Sequence, residues 1–336
     1  MMKRVMFALM MLLTAASALA AERQTGTIVM EFDLSAQAAG KETKLWLPYP
    51  VSDADQRIDN VRIDGDFAES AVYAEREHGT PMFFARWDEG AQSRTLTFTF
   101  DVERREVLVR GLEAKKEATW SRADFAPYLA PTRLGPTDGI VKALADDITK
   151  GQTTVLGKAR AVYDWIVDNM YRDPDTRGCG PGDVCSLLEK PGGKCADIHS
   201  VYVALARAAG VPAREVFGIR QGKKDGQDIT GWQHCWAEFY LPGTGWVPVD
   251  PGDVRKMMLK EKLKLADEKT DEYRAYFWGG IDPYRVKLST GRDLTLNPPQ
   301  DGDPVNYLMY PFAQVGGETL DWLDPKAFKY RITYRQ

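Results

Sequence analysis

Histidine is scarce in this chain: 336 residues carry three, His78, His199 and His234, so any imidazole base must be one of them. Cysteine is nearly as rare, with four. No apolar run of about 18 residues occurs after the first twenty, which excludes a membrane-spanning helix beyond them. The formal charge is −4 with no basic cluster, and this argues against a nucleic-acid partner. There is no glycine-rich phosphate loop, EF-hand loop or zinc-protease motif, so no cofactor and no metal are expected. What the chain has in quantity is apolar residue, 44%, enough for two packed domains at this length.

Residues 1–20 have the layout of a secretory signal. Lys3-Arg4 precede an apolar run from Val5 to Leu13, and small residues end at Ala18-Leu19-Ala20. No cysteine follows directly, so a lipid-anchored form is not expected. The reading is a periplasmic or secreted protein, in a compartment where disulfides persist. Cys179 and Cys185 bracket Gly180-Pro181-Gly182-Asp183-Val184 and are candidates to close a small loop there.

From Glu22 to about Val109 strand follows strand. Ile28, Met30, Phe32 and Leu34 alternate with polar positions, as do Leu96, Phe98, Phe100 and Val102. This predicts an antiparallel β-sandwich over 22–125, serving as scaffold or as a platform for substrate or partner. A connecting stretch from Gly111 to Pro136 leads to two helices. Ile140, Val141, Leu144 and Ile148 mark the first; Val155, Ala159, Val162 and Ile166 mark the second, with Thr154 as its N-cap. The stretch Arg255 to Lys269 reads as one solvated amphipathic helix. A last alternating strand carries Phe328, Tyr330, Ile332 and Tyr334.

The chemistry concentrates between them. Gly192-Gly193-Lys194 precede Cys195, and Ile198, Val201, Tyr202, Leu205 and Ala208 recur at helical spacing, so Cys195 sits in the first turn of a helix. A helix N-terminus and a neighbouring cation lower a thiol pKa and produce the nucleophilic thiolate. Gly210-Val211-Pro212 stops that helix, and a strand from Ala213 to about Arg220 follows. Gln221 to Thr230 is a loop by composition. Gln233 to Leu241 alternates, Pro242-Gly243-Thr244-Gly245 turns, and Trp246 to Asp250 returns, so His234 and Asp250 lie on two strands of one hairpin. His234 lies eight residues before Pro242 and Asp250 five after Gly245, so a bulge or a diagonal pairing is needed to join them.

The segments GGKCADIHSVYVALARAAGVPAREVFGIR and GWQHCWAEFYLPGTGWVPVDP resemble the core of the transglutaminase-like superfamily over roughly 150–255. The resemblance implies a papain-like α+β fold behind the sandwich, with 126–336 as the catalytic domain and its C-terminal extension. It implies Cys195 as nucleophile, His234 as base and Asp250 as the residue that orients the imidazole. The activity implied is that of a cysteine-dependent amide hydrolase acting on a protein, peptide or cell-wall amide through a thioester. The alternatives are a protein-glutamine transglutaminase and a non-catalytic binding module. The oxyanion would take the Cys195 N–H and a second donor, for which Tyr171 and Asn169 are candidates.

Other readings of these residues stay open. His78, in Glu77-His78-Gly79, reads as a solvated turn residue. His199 follows Cys195 by four and shares its helix face, either packing behind the nucleophile or joining Cys179, Cys185 and Cys195 as a zinc set. Cys235 reads as a buried thiol facing away from His234. Trp232 and Trp236 flank His234 on its own face, as roof or as core.

Overall fold

A computed structural model describes residues 22–336, so the signal-like segment lies outside the described residues. The sandwich strands are β1 Arg23–Asp33, β2 Thr43–Pro48, β3 Gln56–Gly65, β4 Glu69–Ala74, β5 Pro81–Trp87 and β6 Thr95–Arg105. Their period-2 pattern does what it predicts. Leu96, Phe98, Phe100 and Val102 of β6 turn inward with Ile28, Met30 and Phe32 of β1 and meet Leu45, Leu47, Phe83 and Ala85 of the facing sheet. Burying one such phenylalanine contributes roughly 2 kcal/mol, and the layer holds many.

Next come α1 Gly139–Ile148, α2 Val155–Asn169, α3 Val184–Glu189 and α4 Cys195–Ala208. The strands β7 Ala213–Arg220, β8 Gln233–Leu241 and β9 Gly245–Val249 follow, then α5 Pro251–Glu261, α6 Glu268–Tyr276, β10 Arg285–Thr290, β11 Phe312–Val315 and β12 Tyr330–Arg335. Thr154 caps α2 as expected, its hydroxyl accepting from the Gly157 N–H at 3.0 Å. Gly210, at φ 82°, supplies the left-handed conformation that ends α4. The stretch 255–269 is not one helix: α5 ends at Lys262, at φ 57°, and α6 starts at Glu268.

A four-stranded antiparallel sheet in the order β9, β8, β7, β10 forms the floor of the second layer. Ile198, Val201, Tyr202 and Leu205 of α4 pack with Ala159, Val162 and Ile166 of α2 on Ala237, Phe239 and Leu241 of β8. The helix-facing side of β8 is therefore the odd-numbered one.

The sheets correct the expected division at residue 125. Strand β12 lies between β1 and the short strand Gln227–Asp228, and β11 pairs with β2, Phe312 opposite Trp46. Both sheets of the sandwich are completed by strands from the C-terminal part, so the region before 125 does not close its own sheets.

Candidate active site

Cys195 is the first residue of α4. The helix start is fixed from two sides. Asp197 accepts from the Lys194 N–H at 3.0 Å and from the Gly182 N–H at 2.8 Å, while the Ala196 N–H donates to the Cys179 carbonyl at 3.0 Å. The loop can lie this close because Gly180, at φ +90°, has no Cβ; one would fall 1.9 Å from the Asp197 carboxylate. The Cys195 N–H has no partner among the described residues.

Strands β8 and β9 pair without a bulge, Leu241 opposite Gly245 and Ala237 opposite Val249. Strand β9 ends at Val249, and Asp250 leaves the sheet as N-cap of α5, its Oδ1 accepting from the Asp253 N–H at 2.6 Å. From there Oδ2 meets His234 Nε2 diagonally at 2.9 Å. The hairpin thus joins the two residues by the diagonal route. The other oxygen takes His199 Nε2 at 3.0 Å, and His199 Nδ1 lies 3.4 Å from the Cys235 Sγ.

Arg285 of β10 pairs through its guanidinium with both Asp250 and Asp253, and Arg220 of β7 pairs with Asp253 as well. His234, Asp250 and Asp253 place one ligand atom each within 4.8 Å of one another, a metal-like grouping. The Arg285 guanidinium already holds its cationic position, so the grouping is a neutralised ion network. Burial works to raise the Asp250 carboxyl, but Arg285, His199 and His234 hold it well below the usual carboxylate range. Burial likewise opposes protonation of His199, and the charge and hydrogen bond of Asp250 overcome it and raise its pKa.

The nucleophile stands among thiols. Hydrogen bonds from the Cys179 and Cys235 thiols, joined by the His234 imidazole and its charge, hold the Cys195 thiol well below its ordinary value against burial. The two neighbours move the other way. Cys179 is raised well above the ordinary value by its hydrogen bond to Cys195 and by burial, and Cys235 by burial first. Cys195 is therefore the member of the cluster that ionises.

Cys195 is only 1% exposed. It packs in a cluster with Cys179, Phe217, Cys235, Met309 and Tyr310, against Tyr307, Trp322 and Leu323. The cover is the C-terminal segment 307–323. It is tied to the loop beside the nucleophile by Tyr307 Oη to the Gly180 carbonyl at 2.8 Å, by Tyr310 Oη to Cys179 Sγ at 3.3 Å, and by the Arg177–Asp321 ion pair.

Several expectations need correction. All four cysteines are unbridged: the Cys179 thiol is buried, its Sγ 3.4 Å from the Gln233 carbonyl oxygen, whereas Cys185 is exposed on α3, so no loop disulfide forms. The zinc set is not assembled, since Cys185 is exposed and both His199 nitrogens are engaged. The side chain of Asn169 donates to the Trp165 carbonyl at its own helix end, and Tyr171 is half exposed with its ring against Gly192, so neither is placed as the second donor. His78 is not a free turn residue; its Nε2 lies 3.2 Å from the Arg292 carbonyl. Trp236 packs with Val216 and Ile281, and Trp232 against the sandwich core, so neither roofs His234.

The geometry sits in a stretch with known relatives. The model of the transglutaminase-like superfamily matches residues 142–251. A Haemophilus influenzae protein described only as uncharacterized is 40% identical over 314 residues, covering 86% of this chain and 85% of its own. A protein-glutamine gamma-glutamyltransferase of Pseudomonas aeruginosa is 32% identical over 204 residues, 55% of this chain but 29% of its own length. Among solved structures, a candidate cysteine protease of Cytophaga hutchinsonii superposes with TM-score 0.56 at 17% identity, over 94% of this chain and 99% of that one. The chain belongs to the transglutaminase-like superfamily.

Arg285, which neutralises Asp250, lies outside the matched residues, as does the cover from Tyr307 to Leu323. No motif marks them; they enter the site only through sheet pairing and packing.

Proposed function

We propose that the protein is an exported cysteine enzyme that forms a thioester at Cys195 with an amide substrate, and that water resolves the thioester. The observation that carries this reading is a thiol at the first turn of a helix, in one site with an imidazole whose Nε2 is held 2.9 Å from a buried carboxylate. His234 takes the Cys195 proton, and the sulfur bonds to the amide carbon while the C=O pair moves onto oxygen. As the oxyanion collapses the C–N bond breaks, and the His234 proton leaves with the amine. Water then attacks the thioester with His234 as base, releasing the acid and restoring the thiol. Asp250 keeps the tautomer. The substrate is a peptide, isopeptide or cell-wall amide, and the N-terminal sequence supports export to the periplasm or medium.

One observation favours a second reading. The Pseudomonas relative is described as a protein-glutamine gamma-glutamyltransferase, and in the second reading an amine takes the place of water at the thioester. Incubating the protein with a glutamine-containing substrate and a labelled amine separates the two. Ammonia release without label supports hydrolysis; label incorporation overturns it. The shared step is tested by thiol alkylation across pH. One thiol reacting below the ordinary cysteine pKa of about 8.5, lost in Cys195→Ala and shifted upward in His234→Ala, is expected. Its absence under reducing conditions rejects the enzyme reading.

A further inference from the structure

Gln233 is the residue before His234 and is 7% exposed. Both its Nε2 and its Oε1 are buried without a hydrogen-bond partner. An amide left in that state costs on the order of 1–3 kcal/mol, so it needs a reason beyond packing.

Its position supplies one. Odd-numbered residues of β8 face the helices, and Cys235 meets His199 there. From His199 back to Cys195 the helix recedes about 6 Å, at about 1.5 Å per residue. From Cys235 back to Gln233 the strand recedes about 7 Å, at about 3.3 Å per residue. The β8 and α4 C-terminal ends also lie together, the Tyr240 N–H donating to the Pro212 carbonyl, so both recede in the same direction. The Cys235 thiol also hydrogen-bonds to Cys195, so Gln233, two residues back on the same face, lies just beyond the nucleophile at the N-terminal end of α4. The Cys179 Sγ, a neighbour of Cys195, lies 3.4 Å from the Gln233 carbonyl oxygen.

We propose that Gln233 Nε2 is the second oxyanion donor, acting with the unpaired Cys195 N–H on the carbonyl oxygen that turns negative when the sulfur attacks. This rests on the reading of Cys195 as nucleophile. The orphaned amide is then a preorganised dipole in a buried site, where such a donor acts most strongly on the transition state.

The test separates two reactions of the same thiol. Alkylation by chloroacetamide is a direct displacement of chloride and develops no oxyanion. Acylation by 4-nitrophenyl acetate passes through a tetrahedral oxyanion before nitrophenolate leaves. Gln233→Met keeps the length and removes the donor. It is expected to leave alkylation unchanged across pH while acylation falls about a hundredfold, in kcat rather than KM for an amide substrate. Gln233→Leu, which also removes the donor and adds no charge beside the thiolate, should behave alike. Equal acylation in both variants and wild type overturns the assignment. A wild-type protein that is neither alkylated nor acylated overturns the nucleophile and this assignment with it. If neither variant folds, the wild-type protein decides. Its hemithioacetal with a small aldehyde should shift the Gln233 side-chain amide in a nitrogen-edited NMR spectrum, and an unmoved amide overturns the proposal.

Discussion

His199 stands directly behind Asp250, its Nε2 3.0 Å from the carboxylate oxygen that His234 leaves free. Two imidazoles thus share one buried carboxylate, and of the two His234 is the one that lowers the Cys195 thiol. His199→Ala should keep the Cys195 thiolate but loosen the orienting carboxylate, lowering kcat about tenfold, against at least a thousandfold for His234→Ala. Equal losses in steady-state amide turnover would show that both act as bases.

Arg285 is fully buried between Asp250, Asp253 and Asp282. Removing it leaves Asp250 with the two imidazoles alone, and Asp253 and Asp282 to share Arg220. Arg285→Met should cost about 3–5 kcal/mol in urea unfolding at neutral pH. Asp250 and Asp253 are held below their ordinary range in the native protein, so the stability they contribute is present at neutral pH and lost on acidification. The penalty of the variant should therefore shrink as pH falls through the carboxylate range. A penalty that is constant with pH would mean the arginine acts by packing alone.

Burial raises the Asp197 carboxyl to about 6 from its ordinary 3.8, against two backbone N–H donors. The folded state then holds a proton that the unfolded chain releases. Its contribution to stability is complete below about pH 4 and is lost as pH rises to about 6, by about 3 kcal/mol. Asp197→Asn should flatten the unfolding free energy across that window, measured at half-unit pH steps. A variant that keeps the wild-type slope would place the titration elsewhere.

The 307–323 segment covers a thiol that must meet substrate. Leu323 packs against Gly178, where an added Cβ would lie 2.6 Å from its Cδ2. Leu323→Ala should weaken the closed state by about 1.4 kcal/mol and raise Cys195 alkylation about tenfold, with Tm little changed. An unchanged rate would show that reagents enter by another side.

How far the sequence reaches depends on whether a feature is local. Helix α4 ends before Gly210 and strand β7 runs from Ala213 to Arg220, as expected, because Gly210-Val211-Pro212 punctuates them. The placement of Cys195 in a first turn follows from the same spacing. The diagonal from Asp250 to His234 was half visible: the offset in the hairpin announced an irregularity, but only the N-cap role of Asp250 shows where the chain turns. The burial of Cys179, the reach of Arg285 and the orphaned amide of Gln233 have no local signature. Each depends on a neighbour brought in from another strand or loop, and an unpaired group shows only when all its neighbours are placed.

The pairing of β12 with β1 sets Ile332 opposite Met30, about 300 residues away along the chain. Closing so long a span costs chain entropy that local pairings do not, so nothing before the C-terminal strand arrives can complete this ladder. Until then β1 carries an open edge with Ile28, Met30 and Phe32 beside it, the kind of strand that recruits other chains. A chain cut before Tyr330 would keep that edge for good, and its fate would be set by aggregation and proteolysis rather than by the chemistry at Cys195.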